Sequence, residues 1–135
     1  QTLTVTRQMN RYKVPCIAFI NKLDRTGANP KRVMEQIRKS IGFNAAFMNL
    51  PIGLEGNLSG IVDLIEQKSI YFDGQNGEQI RYDSIPSDMV TEAKEKRQEL
   101  IESISNVDDY IGELYLEERM PTNDELIVCF FRCFK

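Results

Sequence analysis

Five consecutive apolar residues, Cys16-Ile17-Ala18-Phe19-Ile20, give way without transition to the polar run Asn21-Lys22-Leu23-Asp24, followed by Gly27 and Pro30. A strand that is apolar at every position predicts cover on both faces, as in a parallel sheet. Pro30 suits the first position of a helix with Asn29 as its cap. Strand, polar loop and helix in that order point to an α/β fold. They also place Asn21 to Asn29 at the carboxyl end of the strand, the edge where open α/β sheets bind ligands.

The 135 residues are 41% apolar and 27% charged, enough for one ordinary domain or two small ones. No apolar run approaches the roughly 18 residues that a bilayer span needs, so no membrane partner is expected. Seventeen Lys and Arg against twenty Asp and Glu leave a net charge of -3, too balanced for bulk binding to nucleic acid or anionic lipid. The absence of histidine removes the usual neutral-pH general base and the triads built on it. Cys16, Cys129 and Cys133 are too few for a four-ligand zinc site and are expected as buried apolar residues in a reducing compartment. The chain starts at Gln1 and stops in the apolar run Leu126 to Phe134, which reads as a piece of something longer.

Along the chain, Leu3, Val5, Met9 and Tyr12 predict a helix closed by Pro15. The helix after Asn29 turns Val33, Met34, Ile37 and Ile41 inward and ends near Gly42. Strands are predicted around Phe47 to Leu50, Gly60 to Ile65, Ser69 to Phe72 and Gln79 to Tyr82. The last two are joined as a hairpin by the turn signal Asp73-Gly74-Gln75-Asn76-Gly77. Ser87 or Asp88 can cap a long helix to about Ser105, Asp108 a second to about Glu118, and Pro121 with Thr122 opens a third.

The chemistry lies in Asn21-Lys22-Leu23-Asp24. A buried Asp24 carboxylate can accept two hydrogen bonds from the ring N–H and exocyclic amine of guanine, donors that adenine does not match. The Lys22 stem can lie along the base, and the Asn21 amide can bond the base and tie the loop together. The bland alternative is a polar loop that closes a strand. Asp24-Arg25-Thr26-Gly27 also fits a D-x-x-G string used near magnesium, but Asp24 cannot serve both roles, and no G-x-x-x-x-G-K-[ST] loop exists here to hold phosphates.

From Gln1 to about Arg132 the chain resembles the elongation factor G family of translational GTPases. The likeness is carried by Gln1 to Val5, Val14 to Asn29, Gly60 to Leu64 and Leu100 to Glu102, in family order. Asn44 to Asn57 and Ile70 to Gly74 are most similar to the family's mitochondrial translocation branch. The resemblance implies a partial P-loop NTPase-type GTP-binding domain, with its late strand and helices only, carrying an inserted α+β subdomain. Residues 1–43 would be the late GTP-binding part, 44–120 the insert, and 121–135 a helix returning to the nucleotide domain. It implies GTP as ligand, with Asn21, Lys22 and Asp24 at the guanine base and no catalytic or metal-binding residue assigned.

Magnesium is expected only in the full-length protein, because the phosphate loop and both switch regions have no counterpart here. The whole family protein is a GTPase that drives tRNA and mRNA movement on the ribosome, and this chain alone is expected to be inactive. Localisation is expected in the mitochondrial matrix, with the cytoplasm as alternative. Two other readings stay open, a module acting only by protein interaction and a segment of a ribosome-recycling GTPase.

On the long helix, Glu92, Glu95, Glu99 and Glu102 recur at intervals of three, four and three, which at 100 degrees per residue is one acidic stripe. Ala93, Leu100, Ile101, Ile104 and the Arg97 stem fall opposite, on the side expected to be buried. The stripe reads either as a solvated face or, as the resemblance implies, as a contact for the stalk protein of the large ribosomal subunit. Contact with tRNA and mRNA would then be indirect, through domains outside this chain.

Overall fold

The computed structural model describes residues 2–12 and 16–133. Pro15, expected to close the first helix, and Phe134 lie outside them. The fold is mixed α/β. Helix α1 (Thr2–Arg11) is followed by the segment Cys16 to Asn29, then by α2 (Pro30–Gln36), which continues as a π-helical turn over Ile37–Ile41. Four strands come next, β1 (Asn49–Ile52), β2 (Gly60–Asp63), β3 (Lys68–Asp73) and β4 (Gln79–Asp83). Three helices follow, α3 (Val90–Ser105), α4 (Asp109–Leu116) and α5 (Asn123–Cys133).

The expected strand over Cys16 to Ile20 does not form. Ile17 and Phe19 are 65% and 89% exposed, and Cys16 is exposed where burial was expected. A parallel strand is held by ladder partners on its sides. The one sheet among the described residues is the antiparallel β1-β2-β3-β4 meander, which leaves this apolar run unpaired.

The local signals at element ends behave as the side-chain chemistry dictates. The Arg32 N–H donates to Asn29 Oδ1 at 2.9 Å, so Asn29 caps α2 with Pro30 at its first position. Gly42, at φ 74, closes the π turn in the left-handed region that a side chain would resist. Asp108 caps α4 by accepting the Ile111 N–H at 3.0 Å. Thr122 and Glu125 form a reciprocal capping box on α5. The Thr122 N–H donates to Glu125 Oε2 at 2.8 Å, and the Glu125 N–H to Thr122 Oγ1 at 3.2 Å. The Tyr110 hydroxyl, that Thr122 N–H and Arg119 hold the Glu125 carboxyl down at about 2. Ser87 and Asp88 do not cap α3, which starts from Met89 without a side-chain cap.

Pairing register puts Leu50 opposite Val62 and Val62 opposite Ser69, so all three buried residues share one face. Pro51 sits within β1, where an edge strand can dispense with one donor. The β3–β4 hairpin forms across the expected turn, with Asp73 opposite Gln79. Helix α3 turns Ala93, Leu100, Ile101 and Ile104 into the core with Ile111, Leu114, Leu126 and Cys129 of the other two helices. Arg97 lies on that same buried side. Its guanidinium donates to the carbonyls of Leu64 and Ile65 in the turn after β2 and, at 2.9 Å, to Asn123 Oδ1 at the start of α5.

Candidate functional site

The loop Asn21 to Asn29 is short, and its own hydrogen bonds are those of two tight turns. The Arg25 N–H donates to the Lys22 carbonyl at 3.2 Å, and the Ala28 N–H to the Arg25 carbonyl at 3.1 Å. Asn21 ties the loop to itself as its amide chemistry suggests, because its Oδ1 accepts the Lys22 N–H at 2.8 Å. Lys22 takes a left-handed backbone, φ 63, which bends the chain sharply between Asn21 and Asp24. The three residues expected at a base are thereby gathered in one exposed turn.

Asp24 departs from the expected burial. Its side chain is 66% exposed, and its one ion pair among the described residues is with Arg25 Nε at 3.7 Å. With the preceding segment out of a sheet, no packed wall stands over the carboxylate. An exposed pair at that distance contributes little, so both oxygens remain open to a ligand's N–H donors.

A residue from a different part of the chain holds this loop. Glu55, in a 3₁₀ turn (Glu55–Asn57) of the β1–β2 connection, donates its own N–H to the Leu23 carbonyl at 2.8 Å. Its Oε1 accepts the Gly27 N–H at 2.7 Å. Glu55 is not among the residues expected at the site. The only local hint is a charged residue between Gly53 and Gly56, and the partners lie about 30 positions upstream, Gly27 being 28 away.

The glutamates of α3 are only in part an open face. Lys31 of α2 pairs with Glu92 at 2.6 Å, and Arg38 reaches Glu99 at 3.3 Å. Glu99 also binds Lys96, and Lys96 and then Arg38 hold its carboxyl below the usual range. Glu102 accepts the Tyr115 hydroxyl at 2.9 Å. Among the described residues Glu95 is the member of the stripe with no hydrogen bond or ion pair, and it is exposed. The stripe therefore fastens α2 to α3 as well as facing outward.

Asp108, Cys129 and Cys133 bring one ligand atom each to within 4.8 Å of one another. Their chemistry is already committed. Asp108 accepts from Ile111 and, at 2.9 Å, from Arg132, while burial and then Asp108 push the Cys129 thiol up to about 12. A thiol protonated at neutral pH and a guanidinium beside it disfavour a cation.

Comparison with known proteins gives the site a context. The sequence matches the elongation factor Tu GTP binding domain family over residues 1–128. It is 62% identical to the mitochondrial elongation factor G of Culex quinquefasciatus over 127 residues, which is 94% of this chain and 17% of that protein. It is 57% identical to that of Drosophila ananassae over 136 residues, 100% of this chain and 18% of that protein. A crystal structure of a Thermus thermophilus protein superposes with a TM-score of 0.67 at 25% identity, covering 84% of this chain and 16% of that one. The chain thus spans less than a fifth of the length of the curated relatives it matches.

Proposed function

Since the chain belongs to the elongation factor Tu GTP-binding-domain family and is of the mitochondrial elongation factor G type, we propose that Asn21, Lys22 and Asp24 read the guanine of GTP for a GTPase. That GTPase would move tRNA and mRNA through the mitochondrial ribosome, in the matrix. The observation that carries this reading is the Asn21-Lys22-Leu23-Asp24 turn, with an accessible carboxylate, inside a segment matched to the family over residues 1–128. The donor set fits the base. Asp24 offers two acceptor oxygens to the ring N–H and exocyclic amine, Lys22 an apolar stem and a cation at the rim, and Asn21 an amide nitrogen not used in holding the loop.

Residues 44–120 would be the inserted subdomain, consistent with the β1 to β4 meander, whose four strands all lie within it. Phosphoryl transfer needs a phosphate cradle and positioned magnesium, and none of these 135 residues forms a G-x-x-x-x-G-K-[ST] string. Within the whole protein these residues are therefore proposed to supply base selection and not phosphoryl transfer, and the chain by itself is proposed to be inactive. The test exchanges the matched 126 residues into Drosophila melanogaster mitochondrial elongation factor G. GTP, but not ATP, should displace a fluorescent guanine nucleotide from this host, while the isolated 135-residue chain binds neither tightly by calorimetry. Equal displacement by both nucleotides from a folded host, or micromolar binding by the chain alone, overturns the reading.

For the ribosome, α3 supplies the proposed contact to the large-subunit stalk protein through Glu92, Glu95, Glu99 and Glu102. Glu95 is the clean probe, because Glu92 and Glu99 also hold α2. Glu95→Lys in the host should slow stalk-dependent ribosome association and flatten its salt dependence, at unchanged melting temperature. Association rates equal to the parent's at low salt would return Glu95 to an ordinary solvated glutamate.

A further inference from the structure

We propose that Glu55 is a positioning residue for the base-reading loop, setting the place of Asp24 from the β1–β2 connection. The proposal rests on the guanine reading above and adds a specificity-determining residue to it. Leu23 and Gly27 bracket Asp24, and Glu55 bonds both of them. It donates its backbone N–H to the Leu23 carbonyl at 2.8 Å and accepts the Gly27 N–H on Oε1 at 2.7 Å. The second is an amide-to-carboxylate bond, of the stronger, charge-assisted class.

Two further observations show how closely the contact is specified. Glu55 holds φ 56, a left-handed conformation that is unfavourable for any residue with a Cβ and one that glycine would adopt freely. The backbone would thus prefer glycine at this position, and what a glutamate adds there is the carboxylate that reaches Gly27. Gly53, two residues earlier, is fixed by space. A Cβ on it would stand 2.1 Å from the Asn57 carbonyl oxygen, so the connection can turn this tightly only with glycine at 53. The resulting turn sits on the β1–β2 hairpin, a paired part of the sheet, whereas the base loop follows an unpaired segment. The sheet therefore supplies the rigidity that the loop itself does not have, and a bidentate contact is lost when its acceptor is free to wander.

Glu55→Gly and Glu55→Gln separate positioning from folding. Glycine removes the carboxylate while relieving the left-handed strain, so the fold is expected to melt no lower. Glutamine keeps an acceptor oxygen on the same stem. In the 135-residue chain, hydrogen exchange at the Gly27 amide should speed up about tenfold or more in Glu55→Gly and stay near the parent rate in Glu55→Gln. In the host protein, the preference for GTP over inosine triphosphate, which differs only in the amine that Asp24 would bind, should fall about tenfold in Glu55→Gly. Glutamine should restore it. An unchanged Gly27 exchange rate overturns the contact, and an unchanged preference in Glu55→Gly overturns the positioning role. A parent host that does not prefer GTP over inosine triphosphate overturns the guanine reading itself, and the melting and exchange data then stand apart from it.

Discussion

Replacing Arg97 by methionine is expected to cost the fold about 3 to 5 kcal/mol, a large part of what holds a domain of this size together. Methionine fills much the same volume and keeps the packing of the stem, so the loss isolates the guanidinium. That group is nearly sequestered, with Arg97 8% exposed, and it bonds the carbonyls of Leu64 and Ile65 together with Asn123 Oδ1. Removing the donors leaves these acceptors without partners where the end of β2, α3 and the start of α5 meet, and an unpaired buried acceptor costs more than a made bond gains. Burial pulls the arginine's pKa down and nearby Asp63 opposes this, but arginine starts so high that it stays a cation at neutral pH. The melting temperature should fall by roughly 10 to 20 °C. Arg81→Met is the contrast. Arg81 binds Asp73 at 2.7 Å and is half exposed, so its loss should leave the unfolding midpoint close to the parent's. Urea unfolding of the two variants beside the parent decides the matter, and a loss below about 1 kcal/mol for Arg97→Met would mean that water already serves those carbonyls.

Arg97 also marks the boundary of what this sequence makes legible. The apolar spacing placed its stem on the buried side of α3, correctly, because that inference needs only the helical period. The partners of its head lie 33 and 26 positions away and depend on how β2 and α5 dock, which no local pattern encodes. The same division runs through the fold. Asn29 and Asp108 were readable as caps because a cap's partner lies within three residues, and the 73–77 turn because its residues demand it. Met89 shows the limit even there, since Ser87 and Asp88 sit close to the start of α3 without bonding its free N–H groups. Cys16 to Ile20 failed for a different reason. Its composition specifies a strand only in the company of neighbouring strands, and the described residues pair it with none. In the candidate site the motif residues were legible and their support was not. Asn21, Lys22 and Asp24 lie within four successive residues, whereas Glu55 reaches their neighbours Leu23 and Gly27 across a strand, a helix and a loop.

On the proposed reading, Asp24→Asn should exchange the preferred base in the host protein, weakening GTP by about 2 to 5 kcal/mol, which is roughly 30-fold to several thousandfold. An asparagine keeps one acceptor but turns the other position into a donor facing guanine's amine. Xanthine carries a carbonyl there instead, so xanthosine triphosphate should gain what GTP loses. The geometry makes this variant unusually clean. The loop is held through the Leu23 carbonyl, the Gly27 N–H and Asn21 Oδ1, none of which belongs to the Asp24 side chain. The ion pair given up is the exposed 3.7 Å contact to Arg25, too weak to move the fold. Asn21→Ala is a poorer probe for the opposite reason, since it would release the Lys22 N–H and slacken the turn along with any contact to the base. Titrating GTP and xanthosine triphosphate against parent and Asp24→Asn, with melting curves to show that both are folded, reads the exchange directly. A folded variant with an unchanged preference would remove Asp24 from the base site and leave the turn as a polar closure of the segment before it.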